Sequence, residues 1–169
     1  GLWGDYAAAV EGLRARASAA PEQGGDSVRM RLTTGAMTAL QGVGAWRRGR
    51  TTEARRLLEQ ARSSISGHFE AQLANQTIGW WMGELLVESG EPAEAIPYFV
   101  SLADGAAFIT DPVAKHRLGK IYERLGDYAE AREAYEYFLT AWRDPDPALR
   151  PWAEEARQAV IRLTGPRRD

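Results

Sequence analysis

Three sets of side chains in this chain have the types and spacing to grip another molecule. Val43, Trp46 and Arg47 form one; Trp80, Glu84 and Glu88 recur at intervals of four; His116, Lys120, Glu123 and Arg124 form the third. On a helix, residues three and four apart share a face, so each set presents an aromatic or charged edge in one direction. Tryptophan offers large, rigid contact area, and Arg and Lys orient a ligand through charge. Side chains of these types can make contact with a segment of another protein. The competing reading is that Trp46 and Trp80 pack between helices and the charges are solvated.

Other chemistries find less support. Neither His68 nor His116 has a histidine or acid four residues away, the spacing a helical metal site wants; both read as surface histidines. Gly42-x-Gly44-x-x-x-x-Gly49 superficially resembles a phosphate loop, but it lies in a helical pattern, follows no strand and lacks the Gly-Lys-Ser/Thr ending. Arg47, Arg48, Arg50, Arg55 and Arg56 make a basic cluster around a helix C-terminus. Cations are favoured there by the helix dipole, so a solvated cluster is expected rather than a phosphate site. No nucleophile elbow, kinase loop or paired-acid arrangement occurs, and the reading is of a non-enzyme with no cofactor and no metal.

Composition fits this picture. The 169 residues are 44% hydrophobic and 26% charged, with a formal net charge of -2, ordinary values for a folded chain. No positive field exists to recruit nucleic acid, and no apolar run reaches the ~18 residues of a membrane span. Cysteine is absent, which removes disulfides and thiolate ligands. No leader segment is recognisable, so a cytoplasmic location is the default. Arginine far outnumbers lysine, which occurs only at 115 and 120; a bacterial genome rich in G and C is the expected source.

The elements that position these side chains are helices. Val28, Leu32, Met37, Leu40, Val43 and Trp46 recur at helical spacing behind a capping Asp26, up to Gly49. From Thr52 to Ser63, Ala54, Leu57, Leu58 and Ala61 form the stripe of a second helix folded back on the first. Leu73, Ile78, Trp81, Met82, Leu85 and Leu86 mark a third that stops at Gly90, and a fourth begins near Pro92. Pro97 predicts a bend or a loosened turn within it. Asp111-Pro112 opens a helix to Leu125, Gly126-Asp127 turns, and Tyr128 to Trp142 follows. After Asp144-Pro145-Asp146-Pro147 a last helix puts Leu149, Trp152, Ala156, Val160 and Leu163 on one face, with Arg150, Glu154, Glu155, Arg157 and Arg162 pointing away. A single apolar face suits a terminal cap. Gly4-Asp5-Tyr6-x-x-Ala9 repeats Gly126-Asp127-Tyr128-x-x-Ala131, so residues 5 to about 19 read as the second helix of a hairpin whose first is missing.

Leu118-Gly119-x-x-Tyr122, Ala131, Tyr135 and Pro145 resemble the tetratricopeptide repeat, a helical hairpin that recurs about every 34 residues. Corner glycines at 4, 49, 90 and 126 are spaced 45, 41 and 36 residues apart, so the copies are degenerate. Gly42, Gly83 and Gly119 stand where the helices of a hairpin cross closely, with Ala54, Ala95 and Ala131 expected opposite. The stretch Tyr135 to Pro147, with Glu154-Glu155-Ala156-Arg157, is also similar to the C-terminal repeats of large bacterial signalling proteins, certain serine/threonine kinases and transcriptional regulators among them.

The resemblance implies an all-α, right-handed α-α superhelix: a single domain over 1–169 with a repeat remnant at 1–19, hairpins at about 26–63, 68–104 and 111–142, and a capping helix at 147–164. It implies an interaction scaffold. Its concave groove is lined by Ala39, Val43, Trp46, Arg47, Trp80, Glu84, Glu88, His116, Lys120, Glu123 and Arg124. Some members of this family clamp a peptide's terminal carboxylate with Lys, Arg and Asn. Here the only asparagine is Asn75 and the expected groove carries Glu84 and Glu88, so a basic or apolar segment of a protein or peptide suits it better. The second reading is a regulatory or sensor region of a multi-domain kinase or transcriptional regulator, binding a small ligand or self-associating through the open N-terminal end.

Overall fold

The computed structural model describes residues 12, 15, 26–65, 72–103, 111–147 and 149–164. Seven helices are bounded within them and no strand: α1 (Asp26–Arg47), α2 (Thr51–Ile65), α3 (Gln72–Glu88), α4 (Pro92–Ala103), α5 (Asp111–Leu125), α6 (Tyr128–Ala141) and α7 (Arg150–Thr164). The described residues are all-α, and the chain divides into two compact units, residues 1–85 and 86–169. The expected repeat remnant at 1–19, the loop after it and His68 fall outside the described residues, apart from positions 12 and 15 in helix.

One corner is built three times. Gly49, Gly90 and Gly126 have φ of 75°, 84° and 87°, a left-handed conformation that costs glycine little and other residues more. At each, the glycine amide donates to the carbonyl three residues back, and the next amide to the carbonyl five back: Arg50 to Ala45 at 3.0 Å, Glu91 to Leu86 at 2.9 Å and Asp127 to Tyr122 at 2.9 Å. These are Schellman closures, which satisfy helix-end carbonyls and turn the chain back.

In the unit of residues 1–85, α1 and α2 pack along each other. Ala54, Leu57, Leu58, Ala61 and Ile65 are the buried stripe of α2, spaced as one face of a 3.6-residue period. Gly42 lets the helices approach: a Cβ there would lie 3.0 Å from Leu58 Cγ and 3.2 Å from Leu57 Cβ. Ile78, Met82 and Leu85 of α3 are buried.

In the unit of residues 86–169, α4 packs on α5, α5 on α6 and α6 on α7. The α4 helix runs unbroken through Pro97, where a loosened turn was expected; the ring is exposed, so the lost amide bond disturbs nothing buried. Ala131, Tyr135 and Phe138 of α6 form one cluster with Ala153, Ala156 and Ala159 of α7. Gly119 seats the aromatic part of it, since a Cβ at 119 would fall 2.8 Å from Tyr135 Cδ1 and Cε1. At Gly42 and Gly119 the close approach therefore meets the residue one turn beyond the expected alanine: Leu58 rather than Ala54, Tyr135 rather than Ala131. Both alanines are fully buried.

The face of α7 is the expected one at Ala156, Val160 and Leu163, and it extends to Ala153 and Ala159. Ala153, Ala156 and Ala159 are its buried residues, with Val160 and Leu163 packed beside them. Glu155 and Arg162, expected to point away, reach back to α5.

Candidate partner-binding surface

The end of α1 carries the first expected set. Val43 and Trp46 are half-buried and Arg47 is exposed. The Arg47 guanidinium carbon lies 4.8 Å from the Trp46 ring centroid, a cation–π arrangement that leaves a flat surface, cationic on one side and aromatic beneath. Arg47 also sits in the last turn of its helix, where its charge complements the dipole. On α3, Trp80 and Glu84 are half-buried and Glu88 is exposed.

The third set is placed differently. His116 is 5% exposed and is not the surface histidine or groove contact the sequence suggested. Its ring stacks on Trp152 of α7, centroids 5.3 Å apart and planes 10° from parallel. Tyr135 meets it edge-on at 5.8 Å and Phe138 lies 4.8 Å away. Nε2 makes no hydrogen bond with the described residues; Glu155 Oε2 stands 3.5 Å away. Burial is the main cause that pushes the His116 pKa down to about 4; Glu155 opposes the shift, and Lys120 and Arg117 add to it. The imidazole is neutral at pH 7.

Lys120 and Glu123 flank the same contact. Lys120 Nζ donates to Glu155 Oε1 at 2.6 Å. The Glu123 carboxylate accepts from two helices at once, from Tyr135 Oη at 3.1 Å and from Arg162 at 2.6 Å. Burial, and then the charge and hydrogen bond of Glu123, push the Tyr135 phenol far above its ordinary range. Residues at 116, 120 and 123 share a face of α5, as spacing predicted, but α7 covers it. Arg124, one position further round, is exposed and has no ion-pair partner among the described residues.

The basic cluster is engaged with its own helices. Arg50 pairs with Glu53 at 2.8 Å, Arg55 with Glu59 at 3.2 Å, and Arg56 donates to Gln60 at 3.2 Å. Arg48 donates to the Gly44 carbonyl at 3.3 Å. Those contacts match a solvated face. Among the described residues no group of three or more His, Cys, Asp or Glu is placed to hold a metal ion, and no helix is long and apolar enough to cross a membrane.

Residues 112–140, the α5–α6 hairpin, match the family model of the tetratricopeptide repeat. Neither curated proteins nor solved structures return a match. The match covers the α5–α6 hairpin alone, and repeats of this type generally mediate protein–protein interaction.

Proposed function

We propose that this protein is an interaction scaffold that holds a segment of a partner protein against exposed and half-buried side chains of its helical hairpins. The observation that carries this reading is the match of the α5–α6 hairpin to a repeat whose general role is to bind proteins. The side chains offered for contact are Val43, Trp46 and Arg47 with Trp80 and Glu84 in the unit of residues 1–85, and Glu88 and Arg124 in the unit of residues 86–169. Tryptophan and arginine are both among the residue types enriched where binding energy concentrates. His116, Lys120 and Glu123 serve a different end, holding α7 in place. No catalytic step is assigned to any of them.

The test takes the two units separately. A partner captured by crosslinking in the source cell is purified, and its affinity is measured by calorimetry for Trp46→Ala, Arg47→Ala, Arg124→Ala and Lys120→Ala. At least one of the first three weakens binding about tenfold, which is about 1.4 kcal/mol, with helicity unchanged. Lys120→Ala stays within about twofold, the scale of an exposed pair. Unchanged affinity in all of the first three removes these faces as the binding surface.

A further inference from the structure

A cavity of about 140 Å³ opens where α4, α5 and α6 meet. Leu118 in its wall is buried and Tyr122 half-buried, while Glu130, Glu133 and Tyr137 are exposed. Lys115 completes the polar lining. None of these residues belongs to the surface described above. The sequence did not reveal the site, because its members come from separate helices.

Size restricts the occupant. Sites for cofactors and drug-sized ligands run to about 300–1,000 Å³, whereas a cavity of about 150 Å³ accepts a group of benzene's size. A single side chain fits here and a small-molecule cofactor does not.

Charge restricts it further. Other acids of this unit are paired, Glu136 with Arg132 and Glu154 with Arg157. Neither Glu130 nor Glu133, one turn apart on α6, has an ion-pair partner among the described residues. Lys115 is the lining's own cation, and its Nζ lies 5.3 Å from the Tyr137 ring centroid. Two carboxylates against one ammonium leave the cavity negative, and the Tyr122 phenol registers that field: burial first, then Glu130, Asp127 and Glu133, push its pKa up. The contact of Lys115 with Tyr137 shows that the aromatic wall accepts a cation. A guanidinium suits the space better than a second ammonium, because it is planar, stacks on tyrosine and can hydrogen-bond two carboxylates through one fork.

We propose that the α4–α5–α6 cavity receives one arginine side chain of a protein partner, its guanidinium held by the Glu130 and Glu133 carboxylates beside the Tyr122 and Tyr137 rings. This rests on the reading of the chain as a protein-binding scaffold, and it adds a contact apart from Trp46, Arg47 and Arg124.

The experiment is an NMR titration of the whole chain with the capped pentapeptide Ala-Ala-Arg-Ala-Ala and with the same peptide carrying lysine or citrulline. The arginine peptide gives saturable shifts at residues 122, 130, 133 and 137 with a Kd of about 1–10 mM, the range of a single-residue contact. Citrulline, which keeps the shape and lacks the charge, binds at least about tenfold more weakly, lysine binds more weakly than arginine, and Glu130→Gln with Glu133→Gln weakens the arginine peptide by about tenfold or more. Shifts that do not saturate, citrulline or lysine equal to arginine, or a double variant that binds as the parent does, each overturn the proposal. Should the double variant lose helicity, the citrulline arm on the unaltered protein still decides. Failure here leaves the scaffold reading standing, because that reading is measured on the Trp46, Arg47 and Arg124 variants.

Discussion

His116 of α5 lies face to face with Trp152 of α7, centroids 5.3 Å apart and planes within 10° of parallel. The pair is the centre of the contact by which the last helix seals the hairpin, with Lys120–Glu155 on one side and Glu123–Arg162 on the other. A repeat unit that ended at α6 would leave Phe138 and Tyr135 facing water; α7 supplies a stripe of alanines small enough to let two helices approach around those rings.

Acid should loosen this seal. The folded pKa of His116 is about 4 against an ordinary 6.5, so between those values the unfolded chain binds the extra proton. Stability is then full above about pH 6.5 and declines as pH falls toward 4. Glu155 acts in the same direction: burial pushes its carboxyl up, but the hydrogen bond and charge of Lys120 outweigh it and hold the pKa below the ordinary carboxylate value. Its share is lost as pH falls through that folded value. Urea unfolding at pH 7.5 and 5.0 should show a loss on the order of 2 kcal/mol in the parent and a smaller loss in His116→Phe, which keeps the stack without the proton. An equal loss in both would place the acid response elsewhere.

Glu123 should matter more than the arginine it meets. Arg162 is well exposed, and a pair of that kind contributes about 0–1 kcal/mol. The Tyr135 hydroxyl is another matter, because loss of Glu123 strands it in a buried place at a cost of about 1–3 kcal/mol. Chemical denaturation should therefore rank Glu123→Ala clearly below Arg162→Ala in stability. The reverse order, or equality, contradicts the bridging role.

Much of this was legible in the residues. Three corner glycines with polar followers announced the helix ends at 47, 88 and 125, because only a left-handed residue closes such a turn cheaply, and the α5–α6 hairpin could be bounded almost to the residue. The faces turned toward later elements were not legible. Periodicity places His116, Lys120 and Glu123 together, but it does not say whether solvent, a partner or α7 lies opposite. In α7 alanines carry a weak hydrophobic signal, so Ala153 and Ala159 went unmarked beside the expected Ala156, Val160 and Leu163. Glu155 and Arg162 read as solvated charges because their partners lie 35 and 39 residues away.

Gly119 offers a sharper packing test than any apolar core position. An alanine there would press on the Tyr135 ring, which is held by Glu123 and by His116 and has no free direction of retreat. Gly119→Ala should destabilise by about 1–3 kcal/mol, the usual cost of overpacking, although alanine is the better helix former by about 1 kcal/mol. Adding Tyr135→Leu should recover part of the loss relative to Tyr135→Leu alone, read from a double-mutant cycle. A stabilised Gly119→Ala would mean that the two helices stand further apart than a 2.8 Å approach of a Cβ at 119 to the Tyr135 ring requires.

On the proposed reading α7 covers the face of α5 that carries His116, Lys120 and Glu123, and a partner engages the Val43–Trp46–Arg47 platform or Arg124. Hydrogen–deuterium exchange of the free and partner-bound protein reads this directly. Peptides spanning 116–123 should be protected already in the free chain and unchanged on binding, while peptides spanning 43–47 or 124–127 gain protection. Fast exchange at 116–123 in the free chain that slows when the partner binds, with no change at 43–47 or 124–127, would contradict it.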